Sequence, residues 1–114
     1  MSQSVHEKPS FQDAGKILRE ALEKHLLIIV TGNCRVNYEG RASSTLDWGN
    51  RFAIIKTDAS VLIHRPSGYE PVNWQPSGCI FNVMPSEKEL YIRAVRLQPK
   101  ETLKIYFNLI FNIL

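Results

Sequence analysis

The stretch Thr102-Leu103-Lys104-Ile105-Tyr106-Phe107-Asn108 decides the fold class, because its apolar side chains recur at every second position. In an extended chain, the side chains of Leu103, Ile105 and Phe107 point to one side, and those of the residues between them point to the other. This period of two is typical of a strand that has one face in a hydrophobic core. The stretch therefore predicts a strand over 102–108.

Similar runs continue upstream to about residue 26, and each is bounded by proline, glycine or polar turn residues. The runs cover 26–31, 34–38, 51–56, 61–65, 79–84 and 90–95. Gly32-Asn33 is either a hairpin turn between the first two runs or a bend in one long strand. Seven or eight short strands at close intervals predict a mainly β fold, either a small barrel or a sandwich.

One amphipathic helix precedes the strands. Ser10 with Asp13 three positions later resembles a helix-capping pair. Apolar residues then recur with helical spacing, namely Ala14, Ile17, Leu18, Ala21 and Leu22. This pattern predicts a helix over about 11–25. We expect residues 1–10 to form a flexible tail and residues 11–114 to form a single domain.

Composition limits the class of protein. The chain has 114 residues, of which 44% are hydrophobic, and a formal charge of +3 with a pI near 9.0. One ordinary core is expected, and the mild basic excess permits an anionic partner without requiring one. The longest apolar run, 26–30, is too short to span a bilayer, so we expect a soluble, cytoplasmic protein with no membrane contact. Cys34 and Cys79 are expected to be free, buried thiols.

The segment Tyr69-Glu70-Pro71-Val72-Asn73-Trp74-Gln75-Pro76-Ser77-Gly78 is the best candidate for a binding site. Pro71 and Pro76 restrict the backbone, so we expect a stiff loop rather than a helix or a central strand. A stiff loop can present an indole to a nucleobase while the neighbouring Asn73 amide hydrogen-bonds the base. Alternatively, Trp74 closes one end of the β core.

Catalytic and metal-binding patterns are not visible. The three histidines are widely separated, and no acidic residue is followed two positions later by lysine, as metal-dependent nucleases usually require. We therefore expect no catalytic residue and no metal ligand in this chain. Arg41 follows Gly40 and precedes two serines, a combination that suits a phosphate, although a turn arginine paired with Glu39 or Asp47 explains it equally.

Several stretches together resemble the N-terminal domain of the NucS/EndoMS family of archaeal and actinobacterial DNA endonucleases. The matching stretches are 34–44, 49–51, 54–58, 62–64, 70–76 and 99–103. The resemblance implies a half-closed β-barrel that binds DNA and forms a homodimer. In that family a RecB-like nuclease domain follows, with catalytic carboxylates and a Mg²⁺ or Mn²⁺ requirement, and the full-length protein contacts a sliding clamp. None of those features is expected in this chain.

In the family, mismatched bases are flipped into pockets of the N-terminal domains. By resemblance, Trp74 would stack on the extruded base, Asn73 would hydrogen-bond it, Leu46 would line the pocket and Arg41 would hold the backbone. The complete set of expected DNA-binding residues is Arg41, Ser43, Ser44, Leu46, Arg51, Tyr69, Asn73, Trp74, Arg96 and Lys100. Tyr69 stands where the family usually has a basic residue. A structural protein-interaction barrel and an Sm-like RNA-binding module are the alternatives.

Overall fold

Seven antiparallel strands form one curled, open sheet in the computed structural model, which describes residues 5–114. The elements are β1 (His6–Glu7), α1 (Phe11–Glu23), β2 (Ile28–Glu39), β3 (Ser43–Ile55), β4 (Val61–His64), β5 (Asn73–Gln75), β6 (Ile80–Pro85), β7 (Leu90–Leu97) and β8 (Lys100–Ile113). The strand order is β5-β4-β3-β2-β8-β7-β6, and β1 pairs with β8. The helix precedes this half-barrel, as predicted.

The alternation of apolar and polar residues builds the core. Leu103, Ile105 and Phe107 of β8 are fully buried on what we call the inner face of the sheet, together with alternate residues of β2 and β7. The residues between them lie on the outer face. The predicted strand over 102–108 is confirmed, and β8 extends beyond it at both ends.

Helix α1 begins where the capping pair predicts. The Ser10 side chain accepts a hydrogen bond from the backbone N–H of Asp13 at 3.1 Å. Ala14 and Leu18 are fully buried in the core, and the Arg19 guanidinium donates to the carbonyl of Val83 at 2.7 Å, which ties the helix to β6. The helix ends at Glu23, two residues before the predicted end, because His25 adopts a left-handed backbone conformation (φ 54°) that no α-helix contains.

Gly32-Asn33 bends one long strand and makes no hairpin turn. β2 runs through both residues, and its pairing with β8 shifts register between Thr31 and Gly32. A Cβ at position 32 would lie 2.0 Å from the carbonyl oxygen of Leu109. Only glycine therefore allows this close approach of β8 to β2.

Three expectations about local structure were wrong in part. The segment Asn73–Gln75 was expected to be a loop, but it pairs with β4 as a short edge strand. Pro76 lacks only its own backbone N–H, so the three residues before it can still form ladder hydrogen bonds. β3 begins at Ser43 instead of residue 51, since its first half is an exposed ribbon paired to β2 and lacks the alternation of a half-buried strand. His6–Glu7, expected as tail, pair with the end of β8. Residues 1–4 of the expected tail lie outside the described residues.

Both cysteines are buried free thiols, as expected from the sequence. Burial raises the pKa of the Cys34 thiol to about 12, against a smaller opposing effect of the Arg51 charge. Within residues 5–114, no helix is long and apolar enough to cross a membrane.

Candidate nucleic-acid interface

Strand β5 presents its tryptophan to solvent. The Trp74 side chain is 62% exposed, and the residue pairs across the sheet with Leu62 of β4. Among the described residues, β5 is the last strand on its side of the sheet, so its other edge has no neighbouring strand there. The reading of Trp74 as the closure of the core is therefore wrong, and its ring is available to a ligand.

Asn73 and Trp74 lie on opposite faces of β5, because consecutive side chains of a strand alternate. Trp74 lies on the outer face and Asn73, which pairs with the buried Ile63, lies on the inner face. Gln75 is also on the inner face, only 2% exposed, and its amide nitrogen has no hydrogen-bond partner within residues 5–114. One ligand can reach both the indole and the Asn73 amide only across the free edge of β5.

An apolar row continues from Trp74 across the outer face. The paired residues Leu62, Ile54 and Ile29 follow it on β4, β3 and β2. One row further along, the Phe52 and His64 rings stack with centroids 5.0 Å apart. Trp74 thus lies beside apolar side chains of the neighbouring strands, in a strand and not in a loop of its own.

The β2–β3 hairpin carries five of the predicted site residues, and four of them lie in or near its turn. Arg41 lies in the turn between β2 and β3, and Ser43, Ser44 and Arg41 are exposed. Leu46 is half-buried and packs against the core from β3. A Cβ at Gly40 would lie 2.3 Å from the Tyr38 hydroxyl oxygen, so any larger residue in this turn would displace the Tyr38 side chain.

A network of partly buried side chains joins this hairpin to the residues beside the β7–β8 turn. The Tyr38 hydroxyl donates a short hydrogen bond to Glu101, whose second carboxylate oxygen forms an ion pair with Arg96 at 2.9 Å. The hydrogen bond to Glu101 raises the pKa of Tyr38, burial and the carboxylate charge act in the same direction, and the positive charges of Arg41 and Arg96 oppose them. Arg96 is therefore partly neutralised before it meets any phosphate.

Arg51 has a different environment from the one that the sequence predicted for a DNA contact. Its guanidinium donates to two backbone carbonyls, those of Cys34 and of Asp47, the latter at 2.6 Å. These carbonyls flank the bulge at which the β2–β3 register shifts between Cys34 and Val36. The side chain thus clamps the base of the hairpin that carries Arg41 and Leu46.

The remaining predicted residues lie in or directly beside connections between strands. Tyr69 is 88% exposed in the loop between β4 and β5, and Lys100 is exposed at the start of β8. Antiparallel pairing directs this loop, the β2–β3 turn and the β7–β8 turn toward the same end of the sheet. Sequence reasoning gave no role to Tyr38 or Glu101. Tyr38 follows Val36 at the spacing of inward-facing strand residues, and a buried hydroxyl needs a hydrogen-bond partner. This spacing was the signal that could have pointed to a polar contact of Tyr38.

The architecture defines a class of protein: a small, PH-like antiparallel half-barrel with an exposed indole on an edge strand. The family model of the endonuclease NucS N-terminal PH-like domain matches residues 24–112. The chain therefore belongs to the endonuclease NucS family as its N-terminal domain.

Relatives and solved structures agree with this assignment. The chain is 36% identical over 104 residues to endonuclease NucS of Methanocaldococcus jannaschii. The aligned residues cover 91% of this chain and 39% of that protein. It is 41% identical over 102 residues to the Pyrococcus horikoshii protein, covering 89% and 38%. An EndoMS–dsDNA complex superposes with a TM-score of 0.90 at 33% identity, covering 96% of this chain and 46% of the other. A repair endonuclease from Pyrococcus abyssi gives a TM-score of 0.81 at 36% identity, covering 96% and 47%. The chain thus spans about two fifths of the length of these curated relatives.

Proposed function

We propose that this domain binds DNA containing a mismatched or unpaired base and holds the extruded base at the free edge of β5. The observation that carries the proposal is the indole of Trp74, 62% exposed on a strand bounded by two prolines. An extruded base needs a flat partner to replace its lost stacking neighbours, and an exposed, immobilised indole provides one. The solved EndoMS–dsDNA complex of the same fold supports the choice of DNA as ligand.

The two faces of β5 determine which part of the extruded base each side chain contacts. The base stacks on Trp74 at the outer face, and its polar edge reaches over the strand toward Asn73 on the inner face. Arg41 and the neighbouring serines, exposed at the hairpin, hold the phosphate backbone. Discrimination arises at extrusion, because a mismatched base costs less to unpair than a matched one.

A mismatched pair contains two bases, and each chain offers one Trp74. We therefore propose that two copies of the domain act on one mismatch as a homodimer. Strand cleavage, with its divalent metal, and the sliding-clamp contact are assigned to other parts of the endonuclease.

The chain has two tryptophans, so Trp74 can be observed alone in a Trp48→Phe variant. We expect a duplex with one central mismatch to quench Trp74 fluorescence more strongly than the matched duplex does, with two chains bound per mismatched duplex at saturation. Trp74→Ala is expected to weaken mismatch binding by roughly 5- to 150-fold, equivalent to about 1–3 kcal/mol of base stacking.

Trp48→Ala is the matched control, because Trp48 is also an exposed indole, at 38%, but lies on β3. It is expected to leave the preference for mismatched DNA unchanged. Equal mismatch affinity of the wild type and Trp74→Ala, with both folded by circular dichroism, would show that the indole does not stack on a base.

A further inference from the structure

A second group of cations and aromatic rings lies on the outer face of the sheet, on β2, β8 and β7, which β4 and β3 separate from β5. We call it the Tyr–Arg face, and it consists of Arg35, Asn37, Tyr91, Arg93, Lys104 and Tyr106. The register places these residues in two adjacent rows across β7, β8 and β2. No role follows for any of them from the candidate site described above.

The first row is built around two stacked tyrosines. The rings of Tyr91 and Tyr106 lie 4.8 Å apart between centroids at an interplanar angle of 15°. Arg35 pairs with Tyr106 on the other side, so a guanidinium group continues the row. The Arg35 Nε atom is buried and has no hydrogen-bond partner in the part of the chain that the structure describes.

The second row places like charges side by side. Arg93 pairs directly with Lys104 across β7 and β8, and like charges at directly opposed positions destabilise a sheet. Lys104 has one acidic partner, Glu39, at 2.7 Å. Among residues 5–114, Arg93 and Arg35 form no ion pair. The face therefore keeps a positive balance that an anion between the two rows would relieve.

We propose that the Tyr–Arg face binds the sugar–phosphate backbone of DNA as a second contact, separate from the β5 site. The proposal rests on the proposed function for the class of its ligand. Guanidinium, ammonium, phenol and amide groups all donate hydrogen bonds, and these are the groups that contact phosphates in protein–DNA complexes. A phosphate placed between Arg93 and Lys104 would attract both side chains and so offset their mutual repulsion.

DNA fits this face better than an acidic protein does. Protein interfaces depend on a few apolar or aromatic side chains that fill pockets of the partner. Here the two tyrosine rings pack on each other, and the exposed apolar side chains that border the face, Met84 and Leu109, lie on opposite sides of it. Arg93 is exposed and the other five residues are half-buried, and all six side chains can donate hydrogen bonds, which suits a surface of regularly spaced phosphates.

The test measures binding of the purified chain to fluorescein-labelled matched and mismatched duplexes at several salt concentrations. Arg93→Gln removes one exposed cation without disturbing the core. We expect it to reduce the magnitude of the slope of log K against log salt by about 0.9, and to weaken binding to both duplexes equally, by about eightfold at 0.1 M salt. Lys88→Gln removes one charge from the exposed β6–β7 turn and is expected to leave the slope unchanged.

The outcomes separate this proposal from the proposed function. An unchanged slope for Arg93→Gln, with the Trp74→Ala effect intact, would overturn the Tyr–Arg face alone. Absence of DNA binding by the wild-type chain would overturn the proposed function as well. Backbone amide signals of 91–93 and 104–106 should shift on addition of matched duplex. Shifts of those signals with protein concentration alone, or with poly-glutamate as strongly as with DNA, would instead assign the face to protein contacts and overturn the proposal.

Discussion

Replacing Arg51 with methionine separates a structural role from direct contact with DNA. The guanidinium bonds the carbonyls of Cys34 and Asp47 across the bulge at the base of the β2–β3 hairpin. Methionine keeps an unbranched apolar side chain but has no donor. Both carbonyls therefore lose this donor, and the hairpin that carries Arg41 loses its clamp.

The magnitude follows from the surroundings of the two carbonyls. The bond to Cys34 is partly buried, and a charged donor there contributes about 1.5–3 kcal/mol. The bond to Asp47 is exposed, so water replaces most of it. Removing the Arg51 Nε atom, which is buried without a partner, returns part of the loss. We expect Arg51→Met to lower the free energy of unfolding by about 2 kcal/mol, and Tm by roughly 8 °C for a domain of this size.

Urea unfolding and thermal circular dichroism measure this effect, and the salt dependence of DNA binding provides the contrast. Arg65→Met is the control, because Arg65 is exposed in the β4–β5 loop, and its loss is expected to change stability by less than about 0.5 kcal/mol. The reasoning would be refuted if Arg51→Met kept wild-type stability and only reduced the salt slope by about 0.9. That result would make Arg51 a phosphate contact.

Two further predictions concern backbone packing and pH. Gly32→Ala should lower the free energy of unfolding, measured in urea, by about 1–3 kcal/mol. The new Cβ would lie 2.0 Å from the Leu109 carbonyl oxygen, so β8 would have to move. Unchanged stability would mean that β8 and β2 are not in such close contact at this point. The pKa of Tyr38 is raised mainly by its hydrogen bond to Glu101, so the folded state holds this proton more tightly than the unfolded state does. The associated stability is complete below the ordinary tyrosine pKa of 10.0 and is lost as pH rises through the folded-state pKa. Wild-type stability should therefore fall more steeply above pH 10 than that of Tyr38→Phe, and parallel pH profiles would contradict the assignment.

Local patterns predicted the core and the helix, because those elements are determined by side chains close in sequence. The alternation of Leu103, Ile105 and Phe107 identified the inner face of β8, and Ser10 marked the start of α1. The end of α1 was missed because His25 adopts a positive φ without being glycine or asparagine. The first half of β3 was missed because its side chains are exposed, so pairing with β2 alone makes it a strand.

The candidate site was predictable in composition but not in geometry. The expectation that Trp74 is presented to solvent is confirmed by its exposure, but it lies on a strand and not in the expected stiff loop, and strand pairing places Asn73 on the opposite face. The contacts of Arg51 depend on a bulge that joins residues distant in sequence. No local pattern distinguishes a guanidinium that binds two carbonyls from one that is free for a phosphate.

The brevity of β5 affects how the domain behaves at high concentration. An open sheet edge is a template on which a second chain can add a strand and begin aggregation. Proline lacks a backbone donor, so Pro76 ends the ladder immediately after Gln75, and Pro71 limits its growth on the other side. Three residues offer too few backbone groups to capture a foreign strand. The domain can therefore present the Trp74 indole at an open sheet edge and still resist aggregation by strand addition.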